Sequence, residues 1–509
     1  MPDLLIFGMK RLFWIGLILC FSPEIYSQLS LGLVNGNYSG STGIIMNPSS
    51  MANTKLRSDI HLFSLHAFAE NNYLYFPSRE SSFVKLINGA YDYHFFPKPY
   101  GNGDRKVYSY YQDKSLKNIF VNARIIGPSV MLSFHDQVFA ISTGFRVMSS
   151  TRRLPYDMAN FSYYGMDFSP QHNINFSHDD YDMASMAWWE VKISYATVIK
   201  RSRNNYWSGG ISVGPAFGYS GVYMLGGDTR YIAYNDSILN VELLNGEFGL
   251  SIPLDYQSDV VDFFNPIVRG YGWGMDLGIT WQYREKPYQK RIPRNCYKKR
   301  FEDYKFKIGV SLLDIGWINF TKNTEKHSFD NVHNNHINVN VLEYDNIRAE
   351  LNSTSEMFYG DPDASLRGNS IKIYMPATVC VQFDYHLRDW WYLNSVIIIP
   401  AKYTSPMIER PFIVALTPRF ESKFLEINVP LVLYDFRYPR IGLSIRLDGL
   451  TIGTDHFGSL LNKRDFTGAD IYVSYKINLR SDGKNPFSSR GACYNNWRRD
   501  LQKIRQSDF

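Results

Sequence analysis

The chain has 509 residues, of which 45% are hydrophobic and only 20% charged, too apolar for a disordered polypeptide. A net charge of +6 is diluted over that length and argues against a nucleic-acid partner, while four cysteines are too few for a disulfide scaffold. A mean hydropathy of −0.27 with one long apolar run excludes a helical membrane protein, but not a membrane barrel, whose greasy face is hidden by alternation.

Lys10 and Arg11 precede the apolar stretch 12–21, followed by Ser22, Pro23 and Ser27. This order is that of a secretory signal, with cleavage expected before Gln28, and ten apolar residues are too few to span a bilayer. Met9 directly before Lys10 would be the more ordinary initiator than Met1. A lipid anchor on Cys20 is disfavoured by the bulky Leu19. Cys296, Cys380 and Cys493 have no Cys or His at ligand spacing, and no metal or other cofactor is expected.

From about residue 118 to 479 the chain alternates with period two, which places successive side chains on opposite faces of a strand. Tyr271, Trp273, Met275, Leu277, Ile279, Trp281 and Tyr283 share one face; Gly272, Gly274, Asp276, Gly278, Thr280 and Gln282 share the other. Similar rows run over 189–196, 305–312, 371–385, 441–448 and 469–479. In the row 371–385, Ile371, Ile373 and Met375 belong to the same apolar face as Val379 and Phe383. Shorter candidates lie at 59–69, 118–126, 129–135, 137–146, 207–223, 391–399, 411–420 and 424–432, about fourteen strands in all.

A soluble all-β sandwich or barrel would bury the apolar face; a transmembrane barrel turns it to lipid. Strands of 11 to 17 residues exceed the usual globular length. Aromatics gather at both ends of rows such as 271–283, as in interfacial girdles, and the export signal places the chain outside the cytoplasm. The expectation is therefore an all-β, antiparallel transmembrane barrel of the outer membrane. Long connections at 70–117, 147–187, 224–268, 318–370 and 453–467 alternate with short turns, the outside and periplasmic loops of such a barrel.

The chain divides into a signal peptide (1–27), a glycine-rich N-terminal plug (28–58), the barrel (59–479) and a basic tail (480–509). On the strand 207–223 one face is built from Ser208, Gly210, Ser212, Gly214, Ala216, Gly218 and Ser220. Glycine in a strand marks close approach of another backbone or a bend, so this wall either accommodates a plug or ligand or merely coils. Polar residues expected on the lumen side are Glu190, Lys192, Asp276, Lys305, Lys307, Asp384, Arg446, Asp448, Asp470 and Lys476, either touching ligand or pairing to fill the bore.

Asn47-Pro48-Ser49 followed by Ser58-Asp59-Ile60, the stretch from Tyr271 to Gly278, that from Ile308 to Gly316, and Gly453 to Ser459 leading into Thr467 to Val473 together resemble the long-chain fatty-acid transporter (FadL-like) superfamily of outer-membrane barrels. The resemblance extends to an uncharacterised Bacteroidota set that includes relatives of the type IX secretion barrel PorV. It implies about fourteen strands and an N-terminal plug in which Asn47, Pro48 and Ser49 stand where the family has Asn-Pro-Ala. It leaves the cargo open.

Gly210-Ile-Ser-Val-Gly214 matches a hydrolase pattern, but Ser212 sits inside an alternating strand instead of a strand-to-helix elbow. His333 and His336 lack a third ligand, and His178, Asp179, Asp180 and Asp182 lack EF-hand spacing. Residues 284–307 carry ten Lys or Arg, a wet connection or a patch for lipopolysaccharide or other polyanions. No enzyme is expected. The function expected is passive transport or binding of a hydrophobic or amphipathic small molecule by a monomer among outer-membrane lipid and lipopolysaccharide. The rival is a non-conducting assembly or type IX secretion-associated barrel that binds envelope or secretion proteins.

Overall fold

The computed structural model describes residues 30–75, 109–134, 136–285, 301–339, 345–437, 439–460 and 467–480. The expected signal peptide, most of the basic connection and all but the first residue of the tail lie outside them. Fourteen antiparallel strands follow in chain order: β1 (Leu56–Asn71), β2 (Lys117–Ile126 and Ser129–Phe134), β3 (Gln137–Leu154), β4 (Tyr181–Arg201), β5 (Asn205–Ala233), β6 (Gly270–Tyr283) and β7 (Phe306–Phe320) form one half. The other half is β8 (Ile371–Tyr374 and Thr378–Arg388), β9 (Trp391–Pro400), β10 (Ile413–Glu421), β11 (Leu425–Asn428 and Leu431–Tyr434), β12 (Arg440–Ile441 and Leu443–Leu447), β13 (Leu450–Thr454) and β14 (Gly468–Arg480). Each pairs with its chain neighbour, and β1 pairs with β14 from Leu56↔Arg480 to Glu70↔Gly468, closing the cylinder.

The exposed and buried faces decide the solvent. On β6, Tyr271 and Trp273 are 62% and 57% exposed while Asp276, Thr280 and Gln282 are buried. On β4, Trp189, Val191 and Ile193 are exposed while Lys192 and Ser194 are buried. Apolar outside and polar inside inverts a soluble protein, and an exposed apolar belt that encircles the molecule needs lipid. The chain is a transmembrane β-barrel. Trp207 stacks on Trp281 at 5.9 Å and Tyr283 on Phe306 at 5.2 Å, building the aromatic girdle at one end.

The two ends differ. Short turns join β2 to β3, β4 to β5, β8 to β9, β10 to β11 and β12 to β13 at the end where β1 begins and β14 finishes; apart from the connection 284–305 between β6 and β7, the long connections lie at the other. Much of what the sequence marks as long polar connection is strand. β3 and β4 continue through 147–154 and 181–188, and β5 runs to Ala233. The upper half of β5 pairs with strand Ile238–Ser251, which pairs with Thr324–Asn338, forming a sheet beyond the barrel rim. Past the bilayer neither face has to be greasy, so the alternation that reveals a spanning strand disappears there.

Two local irregularities change which face is which. Pro376 interrupts β8, so Ile371, Ile373 and Met375 point inward and are buried, while beyond it Phe383 points outward and Cys380, Gln382 and Asp384 point inward. The expected single row 371–385 is thus two half-rows of opposite parity. On β7, Asp314 has φ 54 beside a register shift between Met275 and Leu277 of its partner, and this bulge turns Asp314 inward.

Candidate functional site

Residues 30–55 thread the bore as a four-residue helix (Leu31–Val34) and two 3-10 turns (Gly40–Ile45, Pro48–Asn53). So little regular structure leaves many backbone groups unsatisfied, and the inward side chains of the wall supply the partners. Lys476 on β14 donates to the Tyr38 carbonyl at 2.6 Å and the Ser39 carbonyl at 2.5 Å. Asp59 on β1 accepts from the Ser41 N–H at 2.9 Å. Arg419 on β10 donates to the Asn35 carbonyl at 3.0 Å, and Glu421 accepts from the Asn37 N–H at 3.0 Å. Lys55 closes the set with a 2.7 Å ion pair to Glu421. Burial works against the Lys55 charge, but the adjacent Glu421 carboxylate outweighs it and holds the ammonium above the usual lysine range. Asp455, just past β13, accepts from the Leu31 N–H at 3.3 Å; burial raises its carboxyl to about 7 despite that bond and one from the Tyr472 hydroxyl.

Asn47, Pro48 and Ser49 meet three glycines. Asn47 caps its turn by accepting from the Ser49 N–H at 3.0 Å, and its amide donates toward Gln382 and Thr280, each at 3.4 Å. A Cβ on Gly210 of β5 would stand 2.5 Å from the Pro48 carbonyl carbon and the Ser49 nitrogen. A Cβ on Gly278 of β6 would collide with the Asn47 amide, and one on Gly309 of β7 would stand 2.8 Å from its nitrogen. Gly214 and Gly218 on the same β5 face are small for other reasons, the Val191 backbone on β4 and the Phe320 ring. Both readings of the glycine wall therefore hold, at different glycines. Ser212 hydrogen-bonds Ser194 at 2.8 Å as a wall residue.

The lumen-side candidates sort into groups. Lys192, Asp276 and Glu190 meet in one network: Lys192 bonds Asp276 at 2.8 Å and lies 3.9 Å from Glu190. Asp384 joins Arg419 at 2.9 Å and Lys307 at 3.5 Å. Arg446 pairs with Glu426 at 2.9 Å, Asp470 accepts from the Asp455 N–H at 3.1 Å, and Lys476 holds the N-terminal segment as above. Two are corrections. Asp448 is exposed in the turn between β12 and β13 with φ 53, because the strand ends one residue earlier and alternation no longer applies. Lys305 precedes β7 and lies 5.0 Å over the Tyr385 ring, drawn to the aromatic girdle instead of the bore. His178 bonds Asp157 at 2.7 Å and Asp182 bonds Arg153 at 2.8 Å, so those groups are engaged with each other's neighbours, while His333 and His336 are exposed on the outer sheet.

Residues of the site absent from the expected set include Arg146, Arg419 and Glu421. Arg419 and Glu421 alternate with the outward Leu416 and Phe420 and were legible on that ground. Arg146, which bonds Asp314 at 2.7 Å, was not, because its partner comes inward only through the bulge.

Above the N-terminal segment, toward the long loops, the bore is apolar. Phe68, Phe120, Met148, Trp188, Tyr223, Ile318, Ile373, Val396, Ile413 and Val432, from ten different strands, form one buried cluster with Leu31, Leu33, Val34 and Met46. Beside it a cavity of about 50 Å³ lies between residues 41–45 and the inner wall of β1 to β4, β6 and β7.

A barrel of this build, with its own N-terminal segment inside the bore, defines a class, and the chain matches the family of unknown function DUF5723 over residues 48–455. It belongs to that family. Among solved structures it is similar to a TodX monoaromatic hydrocarbon channel mutant (10% identity, 90% of this chain and 100% of that one, TM-score 0.40). It is also similar to the toluene transporter TbuX of Ralstonia pickettii (9%, 90% and 100%, 0.39) and to a FadL homologue of Pseudomonas aeruginosa (10%, 85% and 93%, 0.21). No curated protein matches the chain.

Proposed function

We propose that the chain sits in the outer membrane, with its short turns periplasmic, and that it binds and passes a hydrophobic or amphipathic small molecule. The observation that carries this reading is the apolar inner cluster. A pore for hydrophilic solutes keeps a wet, polar lumen, whereas here ten strands turn apolar side chains inward above a polar, plugged floor. Ligand would enter between the long loops, displace these side chains and meet the N-terminal segment. A side route would lie where Gly127 and Pro128 interrupt β2: Pro128 has no N–H to give the ladder, β1 opposite pairs with β2 only on either side of this gap, at Ser64↔Ile126 and His61↔Ser129, and the cavity lies directly behind.

The test is binding of 1-aminoanthracene to the purified full chain in dodecyl maltoside, read by fluorescence. Saturable binding weakened at least tenfold by Ile373→Asn, with circular dichroism unchanged, supports the reading. No binding, together with a protein that stays bound to the barrel through purification, favours the assembly role instead.

A further inference from the structure

The network around Asp314 has more positive than negative charge. Arg146 bonds Asp314 at 2.7 Å and lies 3.4 Å from Glu190. Arg410 also bonds Asp314, and Lys192 takes Asp276 at 2.8 Å. Three carboxylates are thus occupied by three cations. Arg124, inward on β2, is a fourth; it forms no ion pair or hydrogen bond among the described residues, and its Nε is buried without a partner. It lines the cavity of about 50 Å³ together with Ser142 of β3, the apolar Ile44, Ile45 and Ile126, and the three carboxylates already paired with cations. Glu190 and Asp314 act on this guanidinium only from beyond ion-pair distance and are already engaged by Arg146, Arg410 and Lys192, so its forked donors stay open to a carboxylate or phosphate, the groups they suit. The cavity is several times the room one water needs.

We propose that Arg124 receives the anionic head, a carboxylate or phosphate monoester, of the molecule that enters the bore; this rests on the reading of the bore as a site for amphipathic molecules. The Ser142 hydroxyl, with no other hydrogen bond among the described residues, supplies a second donor, and the three isoleucines take the first carbons of the chain.

The experiment is calorimetric titration of the full chain in dodecyl maltoside with decanoate, decyl phosphate, decanol, acetate and inorganic phosphate. At least one chain-bearing anion is expected to bind ten or more times tighter than decanol. Arg124→Gln removes that preference, bringing the chain-bearing anions down to the level of decanol, and Arg124→Lys keeps most of it. Ser142→Asp, which places a carboxylate on the same cavity, also removes the preference and keeps the test open if Arg124→Gln does not fold. Acetate or phosphate binding as tightly as the chain-bearing anions, and lost in Arg124→Gln, retains the site and assigns it to a free anion. Equal binding of decanoate, decyl phosphate and decanol overturns the anion site while leaving the apolar reading intact, as does a preference that survives both Arg124→Gln and Ser142→Asp. No binding of any of the five overturns both.

Discussion

Gly210 and Gly278 have no room for a side chain because the Asn47-Pro48 turn occupies the space where a Cβ would go. Gly210→Ala is expected to push the turn off the wall at a cost of about 1 to 3 kcal/mol, the usual range for overpacking. Gly368→Ala, with nothing within 4 Å of its Cβ, is the control. Thermal unfolding in detergent separates them, and equal midpoints would show that the turn is not pressed against β5. Asp455 gives the pH dependence at this scale. Its folded carboxyl titrates near 7 against an ordinary value of 3.8, so the folded state holds the proton more tightly than the unfolded one between those values. Stability from this group is full below about pH 4, falls as pH rises toward 7 and is flat above it. The difference in unfolding midpoint between the wild type and Asp455→Asn, followed from pH 4 to 8, should trace that fall; a constant difference would show that Asp455 does not titrate there.

Among the elements, the N-terminal segment depends on the wall more than on itself, since its turns are short and its carbonyls and N–H groups are satisfied by Lys476, Asp59, Arg419 and Glu421. Glu421→Gln leaves Lys55 without its counter-charge and weakens the hold on Arg419, and breaking a buried pair in this way costs about 3 to 5 kcal/mol. Hydrogen exchange is expected to show the amides of residues 35–53 losing protection while those of β4 and β6 keep theirs. Simultaneous loss in both would mean that segment and barrel open as one unit. The strands themselves were largely legible from alternation, though the count of fourteen arose from two opposing errors. The break at Gly127-Pro128 made β2 look like two strands, and β13, five residues that run into the expected connection 453–467, was missed. Rows with a straight period, such as β6, gave the correct face throughout. The row 371–385 flipped parity unseen at Pro376, and the row 305–312 stopped short of the bulge at Asp314, because period-two inspection has no means of registering an inserted residue or a break.

For the whole molecule, the inverted arrangement of an apolar exterior around a polar floor was readable from sequence, as was a glycine-rich segment unable to span. The apolar upper bore was not, because inward Ile371 and Ile373 are indistinguishable by composition from the lipid-facing rows. That upper bore is where the functional reading stands, and parity distinguishes it from the outer belt. Photolabelling the full chain in nanodiscs with a diazirine-bearing alkyl probe, with the modified residues mapped by mass spectrometry, tests this most directly. The expected result is labelling of inward residues such as Trp188, Ile318, Ile373 and Val396, suppressed by excess unlabelled alkyl ligand, in addition to the lipid-facing Ile193 and Trp273. Labelling confined to the outward rows, with the inward ones untouched at saturation, would contradict it.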